Sequence, residues 1–228
     1  MILKDENFKL DSEYKIVSIF DKVINLEKDD EIYSIFDDGM TFAPYTIILN
    51  NELFSEYKTY KKDDIIYIPD MKTKNFSCYL ESKKYKFNLD NLINRVKLFQ
   101  REENIFENYF QNKRNTQNLI ELIGLGQGLT PSGDDYIVGI MAAFYLENNF
   151  TPNIFNTIVK EAKNKTNKIS YNYLKNGKNR LFKKEILDLI YDLDNIEKIK
   201  KLEKFGSSSG QDIIYGIHDY FVYKMKIY

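Results

Sequence analysis

The stretch Asn88-Leu89-Asp90-Asn91-Leu92-Ile93-Asn94-Arg95-Val96-Lys97-Leu98-Phe99 is where the chain changes its period. Leu89, Leu92, Ile93, Val96 and Phe99 recur at three- and four-residue spacing, as one apolar helix face does, and Ile105, Phe106, Tyr109 and Phe110 continue it. A long helix is predicted from here, followed by helical segments at Asn118 to Ile123, Gly133 to Glu147, Pro152 to Leu174, Lys183 to Leu193, Ile196 to Phe205 and Gly210 to Met225. Upstream the pattern differs. Lys15 to Phe20, Glu31 to Phe36, Thr46 to Leu49, Ile65 to Ile68, Phe76 to Leu80 and Lys84 to Phe87 are short runs rich in β-branched and aromatic residues. Asp37-Asp38-Gly39, Asn50-Asn51, Lys62-Asp63-Asp64 and Pro69-Asp70 break them. The expected fold is α+β: a small N-terminal antiparallel β sheet or partial barrel over 1–88, packed on a mostly helical C-terminal domain over 89–228.

Composition excludes several function classes. With 33 basic and 34 acidic residues among 228, the chain has no bulk charge with which to attract nucleic acid or an anionic membrane. A 43% hydrophobic content is ample for a core, and a chain of this length buries roughly 70% of its unfolded surface. Cys78 stands alone, so neither an internal disulfide nor a cysteine-pair zinc site is available, and a reducing, cytoplasmic setting is expected. The first ten residues carry Lys4, Asp5, Glu6 and Lys9 where a signal peptide needs an apolar run. The longest uncharged apolar stretch, Tyr136 to Leu146, is about half the ~20 residues a membrane helix requires.

Glycine is scarce and unevenly placed. There are 10 where an average of ~7% predicts about 16. Five lie from Gly124 to Gly139 and three from Gly206 to Gly216. These two stretches align: Ser132-Gly133-Asp134-Asp135-Tyr136-Ile137-Val138-Gly139-Ile140 against Ser209-Gly210-Gln211-Asp212-Ile213-Ile214-Tyr215-Gly216-Ile217. Each follows a glycine-containing loop, so a loop leading into a helix start is written twice, and a local pseudo-twofold arrangement is expected to bring the two starts together.

Helix capping and packing account for part of this pattern. Ser132 with Asp135, and Ser209 with Asp212, match the S-x-x-D capping box. Gly139 and Gly216 suit a close approach of two buried helices. Capping leaves unexplained the Gly124-x-Gly126-x-Gly128 loop, the extra hydroxyls and the second carboxylate at Asp134. Gly126, Gly128, Gly133 and Gly210 expose backbone N–H groups at helix starts, a setting suited to a small anion, and Thr130, Ser132, Ser207, Ser208 and Ser209 add hydroxyls. Asp134, Asp135 and Asp212 are the candidate catalytic carboxylates. A carboxylate beside a phosphate calls for a cation or a substrate amide between them, so magnesium is the candidate cofactor, held by Asp134 and Asp212. No Lys or Arg occurs between Asn115 and Val159. The site's positive charge must therefore come from magnesium, from Lys175, Lys178, Arg180, Lys183 or Lys184, or from a partner subunit. The basic segment from Lys160 to Lys204 otherwise reads as a solvated helix face. P-loop and Rossmann patterns are absent, and His218 reads as a packed residue rather than a general base.

The string Gly124-Leu125-Gly126-Gln127-Gly128-Leu129-Thr130-Pro131-Ser132-Gly133-Asp134-Asp135, with Gly206-Ser207-Ser208-Ser209-Gly210-Gln211-Asp212, resembles a bacterial domain-of-unknown-function family whose known member is the AllH-type subunit of oxamate carbamoyltransferase. The resemblance runs nearly the full length, loosely in the N-terminal part. Gln127 and Ser207 depart from the proline and histidine that the family often has there. The resemblance implies a partner-requiring component of purine (allantoin) nitrogen salvage that handles oxamate, carbamoyl phosphate or phosphate, with its motif residues on Gly126, Gly128, Thr130, Ser132 to Asp135, Ser208 to Gly210 and Asp212. From the residues alone two other classes stay open: a non-catalytic binding or scaffolding protein, and a magnesium-dependent hydrolase.

Overall fold

The computed structural model describes residues 1–83, 88–99, 108–110, 112, 118–126 and 128–227. Its contacts divide the chain into two compact units, Met1–Cys78 and Tyr79–Tyr228. The fold is α+β, with a curled, half-barrel sheet in the first unit and a mostly helical second unit.

The first unit has seven strands: β1 (Ile2–Asp5), β2 (Ser12–Ile19), β3 (Val23–Lys28), β4 (Glu31–Phe36), β5 (Thr46–Ile48), β6 (Ile65–Ile68) and β7 (Thr73–Phe76). They form one sheet in the order β6-β2-β3-β4-β5-β1-β7. The sheet is mixed, because β4 with β5 and β1 with β7 run parallel while the other neighbours are antiparallel. Asp29 and Asp30 both take positive φ, 52° and 62°, which gives the tight two-residue turn that joins β3 to β4. Aromatic rings of Phe8, Tyr14 and Tyr33 meet at centroid distances of 5.0 to 5.7 Å in the core beneath the sheet. The expected run at Phe76 to Leu80 is displaced, since β7 ends at Phe76 and Tyr79 makes only an isolated bridge to Leu181 in the second unit. β1 and β3 fall outside the expected runs: β1 pairs only with strands distant in sequence, and Asn25 makes β3 look polar although it bonds the Ser18 and Ser34 side chains. The Asn50-Asn51 break is the start of α1 (Asn51–Tyr57), where the Asn50 side-chain oxygen accepts from Leu53 N–H at 3.0 Å. The run at Lys84 to Phe87 lies outside the described residues.

The second unit contains α2 (Asp90–Val96), α3 (Leu119–Leu122), α4 (Ser132–Glu147), α5 (Asn153–Lys165), α6 (Lys168–Lys178), α7 (Lys184–Ile190), α8 (Ile196–Glu203) and α9 (Ser209–Val222). The helix predicted after Asn88 is α2, seven residues long, and its expected continuation through Ile105 and Phe106 lies outside the described residues. One helix expected over Pro152 to Leu174 is two. Thr166 is extended, and the Asn167 side chain accepts from Ser170 N–H at 3.0 Å to start α6. α4 is buried on every side from Ser132 to Leu146, as the central helix of a helical core must be.

α4 and α9 pack through their glycines. A Cβ on Gly139 would lie 2.2 Å from the Ile213 carbonyl oxygen, and one on Gly216 would lie 2.1 Å from that of Tyr136. Tyr136 and Ile213 occupy matching positions of the repeat, so the contact is reciprocal. The helix starts repeat the same scheme. A Cβ on Gly133 would fall 1.9 Å from the Leu122 carbonyl oxygen at the end of α3, and one on Gly210 would fall 1.8 Å from that of Leu202 in α8. Gly133 N–H donates to Leu125 and Gly210 N–H to Phe205, at 2.8 and 2.9 Å. The duplicated sequence is thus a duplicated piece of structure, helix–loop–helix, joined about a local pseudo-twofold between Gly139 and Gly216.

Candidate functional site

The two serines are not capping residues. α4 and α9 begin at Ser132 and Ser209, their N-caps are Pro131 and Ser208, and neither cap makes a side-chain hydrogen bond. Proline at 131 ends the loop with an extended backbone and hands the cap position to a residue with no polar side chain. The capping-box reading of Asp135 and Asp212 therefore fails, and both carboxylates are left to serve other partners.

Asp134 and Asp135 are neighbours on α4 and face different surroundings. The Asp134 carboxylate accepts from Gly124 N–H at 2.8 Å, Thr166 Oγ1 at 2.6 Å and Ser170 Oγ at 2.6 Å. It ties the first glycine loop to the α5–α6 junction, and burial raises its pKa while those three bonds lower it. Asp135 is 0% exposed, and neither of its carboxylate oxygens has a hydrogen-bond partner. The carboxylate that Asp135 senses across the repeat is Asp212, also fully buried. The pair expected to hold magnesium is Asp134 with Asp212; the pair the helices bring together is Asp135 with Asp212. Among the described residues, no group of three or more His, Cys, Asp or Glu side chains is arranged to hold a metal ion.

Burial pushes the Asp135 carboxyl up to about 8; the Ser209 hydroxyl lowers it, Asp212 raises it, and Lys183 and Thr130 lower it. The hydroxyls of Thr130 and Ser209, both beside Asp135, hydrogen-bond each other at 2.9 Å across the two repeats, and that bond uses only one of their two protons. Lys183, the residue before α7, is one of the five cations considered from the sequence. It is half-buried, with its ammonium 4.1 Å from the Phe205 ring centre and 5.3 Å from that of Tyr173. Burial lowers its pKa, while Asp135 and Glu185 raise it. Arg180 is used structurally: its guanidinium donates to Ser82 Oγ and the Asn148 carbonyl, each at 2.9 Å. Lys184 pairs with Asp188 along α7.

Two residues of this region carry no signal in the motifs. The Tyr173 hydroxyl on α6 is buried without a hydrogen-bond partner, and burial, with Asp135 and Glu185 nearby, holds its pKa well above the usual phenol range. Glu185 Oε2 on α7 is likewise buried and unpartnered, its Oε1 lying 3.8 Å from Lys201 Nζ. A hint is present in the neighbouring sequence: Tyr173 precedes Leu174 and Lys183 follows Leu181-Phe182, so polar groups interrupt apolar runs.

Asp135, Tyr173 and Glu185 together present several buried acceptor and hydroxyl atoms with no protein partner. Native proteins rarely leave such atoms unpaired, and a cluster of them marks a place for water or ligand. The remaining expected residues divide. Gly133 and Gly210 are occupied by packing, their N–H groups already donating to Leu125 and Phe205. Ser132 is buried at the first position of α4, and Ser208 is half-buried at the N-cap of α9. A Cβ on Gly126 would crowd Ser132 N at 2.5 Å. Gly128 is exposed at φ +86° with nothing near its Cβ position, so only its backbone conformation calls for glycine. Gln127 lies outside the described residues.

Among the described residues no helix is long and apolar enough to cross a membrane. No solved structure matches the chain. Two family models do: that of the oxamate carbamoyltransferase subunit AllH over residues 122–221, which spans both glycine motifs, and that of the AllH family N-terminal domain over residues 2–92. Between them they cover most of the chain, which belongs to the AllH family, described as a subunit of oxamate carbamoyltransferase.

Proposed function

We propose that this chain contributes the paired starts of α4 and α9 as a substrate site in an oxamate-type carbamoyltransferase, within the nitrogen salvage of purines through allantoin. The carbamoyl group moves between an oxamate-like substrate and phosphate, and partner subunits complete the enzyme. The observation that carries the reading is Asp135, a fully buried carboxylate with both oxygens unpartnered, the last residue of the family's most specific motif.

Transfer toward oxamate requires its nitrogen to attack the carbamoyl carbon of carbamoyl phosphate. The new C–N bond forms, the C–O bond to phosphate breaks, phosphate leaves with the electron pair, and the nitrogen gives up a proton. A carboxyl whose pKa is raised to about 8 is matched to accept and return a proton near neutral pH. Lys183 supplies the positive charge that the glycine stretch lacks, and Asp212 keeps the Asp135 proton affinity high. With Gly133 and Gly210 N–H groups engaged, the anionic end of the substrate is assigned to the more accessible loop positions, Gly126, Gly128 and Thr130 on one side and Gly206 to Ser208 on the other. The magnesium-dependent hydrolase has less support, because Asp134 already accepts three hydrogen bonds.

The test is co-purification of the chain with its partner subunits and an assay of carbamoyl transfer from carbamoyl phosphate to oxamate. Asp135→Asn should lower kcat by about 100-fold or more in an assembly that still forms. Full activity in that variant would assign the chain a scaffolding role instead.

A further inference from the structure

Resting on the reading of the paired helix starts as a substrate site, we infer that Asn167 is a positioning residue, whose side-chain amide holds the first glycine loop at the starts of α4 and α9. Asn167 is the N-cap of α6, and its Oδ1 accepts from Ser170 N–H at 3.0 Å. Serine or aspartate would cap the helix as well, because capping uses only the acceptor. The amide adds a donor, and Asn167 Nδ2 reaches the Leu129 carbonyl at 3.0 Å, 38 residues back in the chain. The other asparagines that cap through their side chains act locally: Asn50 on Leu53 of α1, and Asn195 on Glu197 and Lys198 of α8 and on Asp192.

The end of the loop at Leu129 needs such a tie. Leu129 is 50% exposed, so burial does not fix it, and Gly128 before it, at φ +86°, belongs to the residue type that loses most freedom on ordering. The next residue, Thr130, bonds Ser209 Oγ at 2.9 Å across the repeat, so a shift at Leu129 is felt at the start of α9. The start of the loop is held by the same α5–α6 junction. Gly124 N–H donates to Asp134, the Thr166 and Ser170 hydroxyls donate to the same carboxylate, and a Cβ on Gly124 would lie 2.0 Å from the Lys165 carbonyl oxygen. Lys165, Thr166 and Asn167 therefore meet both ends of the loop. Packing and a buried carboxylate clamp the first end, whereas the second depends on one exposed amide. A loop end that drifts weakens ground-state and transition-state binding alike, which raises KM and leaves kcat unchanged.

Amide hydrogen exchange and steady-state kinetics, both on the chain co-purified with its partner subunits, test this on Asn167→Ser, Asn167→Ala and, as a control, Asn50→Ser. Asn167→Ser keeps the cap and removes the donor. The Leu129 and Thr130 amides should then exchange about 5-fold faster, and KM should rise about 5-fold with kcat within about 2-fold, the scale of one hydrogen bond. Asn167→Ala, which loses the cap as well, should show the same KM and a lower thermal midpoint. Asn50→Ser should change neither loop exchange nor KM. Unchanged loop exchange in Asn167→Ser overturns the inference, and so does faster exchange with KM unchanged, which would make the contact structural only. A rise in KM confined to Asn167→Ala would assign the effect to the cap and overturn it too. A native assembly that transfers no carbamoyl group would overturn the functional reading instead, and loop exchange in Asn167→Ser would then decide by itself whether Asn167 holds the loop.

Discussion

The helix–loop–helix unit of α3 and α4 and that of α8 and α9 solve the same packing problem with the same residues. In each, a glycine at the second helical position lies against a leucine carbonyl, and a glycine further along meets its counterpart across the pseudo-twofold. They part company at the residue between the glycine and the shared aspartate. In the first unit it is Asp134, tied to Gly124, Thr166 and Ser170; in the second it is Gln211, half-exposed. The first loop is also longer, with Leu125 to Gly133 spanning what Phe205 to Gly210 spans in three fewer residues, and it delivers Thr130 to Ser209. What the units share builds the helix pair and sets Asp135 opposite Asp212. What they do not share braces that pair and furnishes its surroundings.

Breaking the shared part should cost most. Gly139→Ala and Gly216→Ala each drive a methyl into a helix carbonyl at 2.2 and 2.1 Å, and each should destabilise by about 3 kcal/mol, the upper end of overpacking, with similar urea midpoints. Clearly unequal midpoints would break the symmetry.

The difference between Asp134 and Gln211 comes next. Asp134→Ala strands an N–H and two hydroxyls and should cost about 2 kcal/mol, whereas Gln211→Ala should stay within about 0.5 kcal/mol. Equal losses would mean that the brace is not where the two units diverge.

Asp135 sharpens the comparison through pH. Its folded-state pKa of about 8 lies above the ordinary carboxyl value of 3.8, so the folded state holds the proton more tightly. The stability linked to it is complete below about pH 4 and is lost as pH rises through about 8. Thermal melts from pH 5 to pH 9 should therefore fall less steeply in Asp135→Asn than in the native chain. The smallest effect belongs to the bond between loops: Thr130→Val should lower stability by about 1 kcal/mol in the same melts.

Much of this is legible in sequence because it depends on local pattern. The change of period at Leu89 separates strand-rich from helical sequence, and the duplicated Ser-Gly-x-Asp and its later glycine disclose the repeat. Other features depend on tertiary partners that no local pattern carries. Adjacent positions on a helix point about 100° apart, so Asp134 and Asp135 look equivalent until α6 is found beside one and α9 beside the other. Tyr173 and Glu185 lie in a basic stretch that reads as solvated surface, and several of its charges do form surface pairs, such as Lys165 with Glu161 and Lys200 with Glu197. The serines of the capping box are not caps because Pro131 and Ser208, not Ser132 and Ser209, precede the helices.

The most direct test of the account is a crystal structure of the chain soaked with oxamate. The account places the ligand between the starts of α4 and α9, its nitrogen within hydrogen-bond distance of the Asp135 carboxylate and an oxygen facing Lys183. Oxamate bound elsewhere, or the Asp135 carboxylate still unpartnered at saturating ligand, would contradict it.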